Sequence, residues 1–193
     1  MSTRHIPRRG LLLLVTALTL SACGGGSGST SAAAPDRDGI SRIAPADRKP
    51  LQGLAGRTLE DEPLDIADYR GEVVVVNIWA SQCGPCRAEA SGLAAVAEET
   101  RAKGVRFVGI NTRDPSRESA RAFEKKYRVP YPSLYDRMGK LVLAFPRGEI
   151  NPQAVPATVF LDRRGRIAAR ALRPLGEADL RKVITPLAAE KRA

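Results

Sequence analysis

The chain has 193 residues, 43% hydrophobic and 27% charged, with three cysteines and a formal net charge of +10. That length holds about one domain plus appendages, and the composition is ordinary for a soluble globular protein. The charge does not define a nucleic-acid binder: Arg57, Arg101, Arg113, Arg121, Arg137 and Arg170 are scattered along the chain without interleaved aromatics, so they read as a solvated surface and no nucleic acid is expected as partner.

The first 22 residues differ from the rest. Met1–Gly10 is basic, Leu11–Leu20 is an apolar run, and Ser21 and Ala22 are small residues ahead of Cys23. This is the pattern of a secretory signal, and the apolar run is too short for a spanning helix of roughly 20 residues. The quartet Leu20-Ser21-Ala22-Cys23 resembles the bacterial lipobox. That resemblance implies lipidation of Cys23, membrane attachment through the lipid, and an extracytoplasmic location. Loss of residues 1–22 removes Arg4, Arg8 and Arg9, which lowers the formal charge by three, and removes His5, the single histidine. The exported part then keeps only Cys83 and Cys86. A closed zinc site takes about four Cys, His or carboxylate ligands, dominated by sulfur and nitrogen, so no metal is expected. Outside the cytoplasm disulfides form and persist, which leaves the pair as a redox centre or a small structural loop.

Residues 23–52 are Gly/Ser-rich and then Pro-rich, without hydrophobic period, and are expected to form a flexible lipid-anchored tether spanning on the order of 30 Å. Residues 53–191 alternate strand-like and helical patterns. Leu64–Ile66 is a short strand candidate, and Val73–Trp79 is a continuous apolar run suited to a strand buried on both faces. Ala90, Leu93, Val96 and Ala97 recur at helical spacing, and Val105–Asn111 is the next strand. Asp114-Pro115 predicts a helix cap with proline at the first helical position, followed by Ala120, Phe123 and Tyr127 at helical intervals. Thr158–Leu161 and Ile167–Leu172 flank Asp162-Arg163-Arg164-Gly165, a hairpin turn. Leu180, Val183, Ile184 and Leu187 give a closing helix frayed by Pro186. The pattern predicts one α/β domain with a mixed sheet.

Cys83 falls where a buried strand ends and a helix begins, and Cys86 lies one turn further on. Unpaired N–H groups and the positive end of the helix dipole face Cys83, which favours its thiolate and lowers its pKa below the free value of about 8.5. An exposed thiolate with a deeper second thiol is what thiol–disulfide exchange requires. A loop closed by four residues gives little chain-entropy stabilisation, which argues against a purely structural bridge.

The stretch "WASQCGPC", the downstream Val155-Pro156-Ala157-Thr158 and the order of elements resemble the thioredoxin fold, and more closely the membrane-anchored TlpA/ResA/CcmG-type thiol–disulfide oxidoreductases. The resemblance covers roughly Gly53 to Leu187. It implies a thioredoxin-like single domain with a mixed central sheet flanked by helices, and a redox-active disulfide in place of any cofactor. It also implies a cis Pro156 standing against the cysteines, with Val155 offering backbone groups to an extended substrate. Trp79 is expected beside the site, counted with Val155 and Pro156 among the substrate-binding residues. Partners implied are protein thiols and disulfides outside the membrane, among them the haem-attachment cysteines of apocytochrome c, and a membrane-embedded or extracytoplasmic redox partner. Two departures stand out: Gln82 replaces the family's tryptophan before the first cysteine, and Asn77 stands where cytoplasmic thioredoxins carry a buried proton-moving aspartate. Glu89, three residues past Cys86 on the same helical face, matches an acidic position of the ResA-type branch and is the expected substitute base, against a plain first-turn glutamate that only favours the helix dipole. The competing functions are a peroxiredoxin-like thiol peroxidase, a copper chaperone and a non-catalytic binding module.

Overall fold

The computed structural model describes Met1 and residues 34–191, so the signal expected over 1–22, Cys23 and the Gly/Ser stretch after it lie outside the described residues. The first strand, β1 (Ile40–Arg42), already corrects the expected tether. It pairs antiparallel with a late strand, Ile40 opposite Ala171, and Ile40 and Leu51 are both buried. Arg48 fastens the same segment with a two-pronged ion pair to Glu190, at 2.7 and 2.8 Å, and a 3.2 Å contact to Asp162. Two isolated apolar residues carry no period, so this stretch reads as coil until a distant sheet edge supplies their partners.

A small hairpin of β2 (Ala55–Arg57) and β3 (Pro63–Asp65) follows. The strand expected at Leu64–Ile66 stops at Asp65, whose carboxylate accepts the Ala67 N–H at 2.8 Å and caps a short 3-10 turn over Ile66–Tyr69. Then come β4 (Val73–Trp79), α1 (Gly84–Arg101), β5 (Val105–Thr112), α2 (Arg117–Tyr127), β6 (Ser133–Asp136), β7 (Ala157–Leu161), β8 (Ile167–Ala171) and α3 (Glu177–Ala189). Among the described residues the main sheet runs β1-β8-β7-β4-β5-β6, with β4, β5 and β6 parallel and the rest antiparallel. The predicted hairpin joins β7 to β8: Gly165, at φ +67°, closes the turn, and the Asp162 carboxylate accepts the N–H groups of Arg164 and Arg166.

All seven residues of β4 are buried, and their alternation divides the core. Val73 and Val75 face a layer formed with α1 and α3 through Leu93, Val96, Leu180 and Val183. Val74, Val76 and Ile78 face the opposite layer, closed by Leu51, Leu54, Val142 and Phe145. Asn77 and Trp79 share the α1 side by the same alternation, so a polar and an aromatic side chain are delivered beneath the cysteines.

Two expectations about helix ends are corrected. α2 starts at Arg117 with Ser116 as its cap, not Asp114, because the Asp114 carboxylate already serves other donors. α3 continues through Pro186 to Ala189, since Leu187 is buried and the Arg163 guanidinium donates to the carbonyls of Leu187, Ala188 and Glu190. That guanidinium satisfies acceptors that a helix end otherwise leaves open.

Candidate active site

Cys83 is the residue that caps α1, and Cys86 lies in the first turn of that helix. The two sulfurs form a disulfide. Cys83 is half-buried and Cys86 is buried, with Gln82, Gly84 and Pro85 exposed around them. The Cys86 N–H donates to Cys83 Sγ at 3.1 Å. No acidic side chain occupies the first turn of α1, so the positive end of the helix dipole acts on that sulfur unopposed from within the helix. Pro85 sits where a helix has an N–H to spare.

The Val155–Pro156 peptide bond is cis, and Val155 O lies 3.7 Å from Cys83 Sγ. Val155 is half-buried, and its carbonyl borders the sulfur of the half-buried Cys83. Trp79 takes a different place from the one expected. It is 3% exposed, stacks on Phe123 with ring centroids 4.3 Å apart, and joins the apolar cluster of Cys86 and Ala90. A sealed indole cannot touch a substrate. Trp79 therefore supports Cys86 from beneath, and its assignment to substrate contact is corrected.

Glu89 is 4% exposed. Asn77, turned toward α1 by strand alternation, donates its amide to Glu89 Oε1 at 2.8 Å and to Thr158 Oγ1 at 3.2 Å, Thr158 being its cross-strand partner on β7. The Leu175 N–H, just ahead of α3, donates to Glu89 Oε2 at 2.9 Å. Burial pushes the Glu89 carboxyl up to about 7, against the pull of the Leu175 and Asn77 hydrogen bonds. A carboxyl that titrates near neutrality takes up and returns a proton at working pH. A cavity of about 10 Å³ lined by Asn77, Trp79, Cys86 and Tyr131 links the two halves of this arrangement, so Glu89's own hydrogen-bond partner borders the space at Cys86.

One positioning group was missed in the sequence because it reads as a helix cap. Asp114 is 1% exposed, and its carboxylate accepts the Ser81 N–H at 3.1 Å, the Ser81 hydroxyl at 3.0 Å and the Asn111 amide at 2.9 Å. Ser81 is two residues before Cys83, and its carbonyl accepts Arg87 Nε at 2.9 Å, so the approach to the disulfide is held from both sides. Replacing Asp114 with alanine strands three buried donors. We expect a loss of roughly 3 kcal/mol of stability in a urea titration.

A mixed sheet flanked by helices, with this cysteine pair at a helix start opposite a cis-proline, defines an oxidoreductase of the thioredoxin type. The chain belongs to the AhpC/TSA family, whose model matches residues 47–170. It is 34% identical over 131 residues to the thiol:disulfide interchange protein HelX of Rhodobacter capsulatus, a match covering 67% of this chain and 69% of HelX. Other curated relatives are matched over 55–62% of their own length. Among solved structures it is similar to a secreted thiol-disulfide isomerase from Corynebacterium glutamicum, at 32% identity and a TM-score of 0.76, covering 83% of this chain and 98% of that one. It is also similar to a DsbF homologue from Corynebacterium diphtheriae, at 33% identity and a TM-score of 0.73, covering 82% and 99%.

Proposed function

We propose that the protein works outside the cytoplasm, held at the membrane by lipid on Cys23, and exchanges its Cys83–Cys86 dithiol and disulfide with the cysteines of exported proteins. The half-buried Cys83 with its sulfur beside Val155 O, and Cys86 buried one turn on, is the observation that carries this reading. The similarity to proteins described as secreted supports the location. Among the described residues no helix is long and apolar enough to cross a membrane.

In the reductive direction the Cys83 thiolate attacks a substrate disulfide. A Cys83–substrate bond forms, and the other substrate sulfur leaves as a thiolate that takes a proton from solvent. Cys86 then gives its thiol proton to the Glu89 carboxylate and attacks Cys83 Sγ. The mixed disulfide breaks, the second substrate sulfur leaves and is protonated, and the protein is left oxidised. Backbone groups of Val155, next to cis-Pro156, align an extended substrate segment across Cys83. An extracytoplasmic or membrane-embedded dithiol partner restores the reduced pair. The haem-attachment cysteines of apocytochrome c are proposed among the substrates, since Cys pairs in an exported, unfolded chain present the extended segment that this edge accepts.

Reduction of insulin by the purified protein tests the chemistry: turnover well above the dithiol background supports it, and turnover equal to background overturns it. Cell fractionation tests the anchor. Wild type is expected with the membranes and Cys23→Ser in the soluble fraction; an identical distribution of the two removes the lipid from the account.

A further inference from the structure

The turn between β7 and β8 gathers positive charge from segments far apart in the chain. Arg163, Arg164 and Arg166 belong to the turn itself. The Lys49 carbonyl accepts the Ile167 N–H at 2.8 Å and the Leu51 N–H donates to the Gly165 carbonyl at 3.0 Å, which seats Arg48 and Lys49 beside the turn. The Gly71 N–H donates to the Arg163 carbonyl at 2.8 Å, and the Arg70 guanidinium lies so closely over Gly165 that a Cβ there would collide with it. Lys191, just past the end of α3, joins Arg163, Arg164 and Arg166 around a cavity of about 190 Å³, with Asp162 and Glu190 in its wall. Against these cations stand Asp162 and Glu190, engaged by Arg48 and Arg166, and the exposed Asp47. Lys49, Arg70, Arg164 and Lys191 are exposed, and none forms an ion pair with another described residue. Asp68 and Glu72, the acids flanking Arg70, line a separate groove with Arg101 and Arg106.

This basic turn lies at the end of the sheet away from the cysteines. β7 runs antiparallel to β4, pairing Ala157 with Ile78 beside the dithiol and Leu161 with Val74 at the other end. The seven residues of β4 separate the two ends by roughly 20 Å. We propose that the β7–β8 turn is the surface this protein lays on a bilayer bearing anionic phosphate headgroups, so that the dithiol points away from the membrane and toward its protein substrates. The inference rests on the lipid attachment proposed above, because a tethered chain needs only a weak attraction to fix its orientation. Each lysine or arginine held near an anionic surface adds such attraction, and it decays within a Debye length of about 8 Å at physiological salt. The exposed Lys49, Arg70, Arg164 and Lys191 are within that reach of the headgroups when the turn touches the bilayer, and without acidic partners they have N–H groups to give to phosphate oxygens. Eleven peptide steps from Cys23 to Ala34 reach at most about 40 Å, so the point of attachment permits this orientation.

Lysine footprinting of the full-length protein tests this. The protein is incubated with excess vesicles of phosphatidylcholine alone or of phosphatidylcholine mixed with phosphatidylglycerol, lightly acetylated, and read by mass spectrometry. Lys49 and Lys191 are expected to label at least about fivefold more slowly on the anionic vesicles than on the neutral ones. Lys140, exposed beyond the end of β6 that lies toward the dithiol, is expected to label equally on both. The protection is expected to vanish in about 1 M salt, where the Debye length is about 3 Å. The double variant Arg70→Gln/Arg164→Gln is expected to lose at least half of the protection at Lys49 while reducing insulin at the wild-type rate, since neither residue touches the dithiol. Equal labelling of Lys49 and Lys191 on the two kinds of vesicle overturns the inference, and so does protection of Lys140 by the same factor. The attachment fails separately: if Cys23→Ser partitions with membranes as wild type does, yet Lys49 and Lys191 are protected only by phosphatidylglycerol, the lipid is lost from the account and the basic surface stands.

Discussion

Cys83→Ser is expected to abolish insulin reduction, lowering the rate by at least about 10³-fold, because a serine hydroxyl at neutral pH is neither ionised nor a match for a thiolate as nucleophile. Cys86→Ser is expected to fail at the other half of the cycle. Its Cys83 still attacks, but no second sulfur resolves the product, so a covalent adduct with the substrate accumulates and runs as one band on a non-reducing gel. The asymmetry follows from position: Cys83 caps the helix and is half-open to solvent, while Cys86 is 1% exposed against Trp79 and Ala90. Equal adduct formation by the two single variants would contradict that division of roles.

Glu89→Gln is expected to change both rate and stability, and the two effects have opposite use. In the folded chain the Glu89 carboxyl titrates at about 7, against 4.5 for an ordinary glutamate. Below the lower value the group is protonated in folded and unfolded chains alike. Between the two, the folded chain holds the proton that the unfolded chain has released, so stability declines as pH rises through this window and levels off above it. The burial of one charge on this scale amounts to roughly 3 kcal/mol. Urea midpoints of the wild type are therefore expected to fall between about pH 5 and pH 7, and Glu89→Gln is expected to flatten much of that fall, the remainder belonging to Glu124 in the same window. The variant is thus the more stable protein near pH 8 and the poorer catalyst. Without a group to take the Cys86 proton, resolution of the mixed disulfide is expected to slow by about 10²-fold. A variant with wild-type kinetics and a wild-type stability profile would return Glu89 to a plain structural role.

Several parts of this arrangement are legible from residue order because short-range physics dictates them. Val73–Trp79 is apolar throughout because the strand is buried on both faces, and α1 announces itself through Ala90, Leu93, Val96 and Ala97. The spacing of Cys83, Cys86 and Glu89 puts all three on consecutive turns of one helix. What that spacing leaves out is the environment. Glu89 is buried because Asn77 on β4 and the Leu175 backbone, 86 residues further along the chain, close over it. Asp114 illustrates the same limit. Next to a proline it has the signature of a cap, yet Ser81 and Asn111 claim its carboxylate and the cap passes to Ser116. Ile40 and Leu51 lie in a polar stretch whose partners, β8 and the β7–β8 turn, come more than a hundred residues later. Glu124 is hidden among Lys125, Lys126 and Arg121, where a charged helix face is the natural reading, and only the fold buries its Oε1.

The central claim is that the helix start makes the sulfur of residue 83 an anion at physiological pH. The rate at which iodoacetamide labels it in the reduced protein, followed against pH, tests this most directly. The arrangement of N–H groups and helix dipole predicts half-maximal labelling at least one unit below the value of about 8.5 for a free thiol. A midpoint that coincides with free cysteine would contradict it.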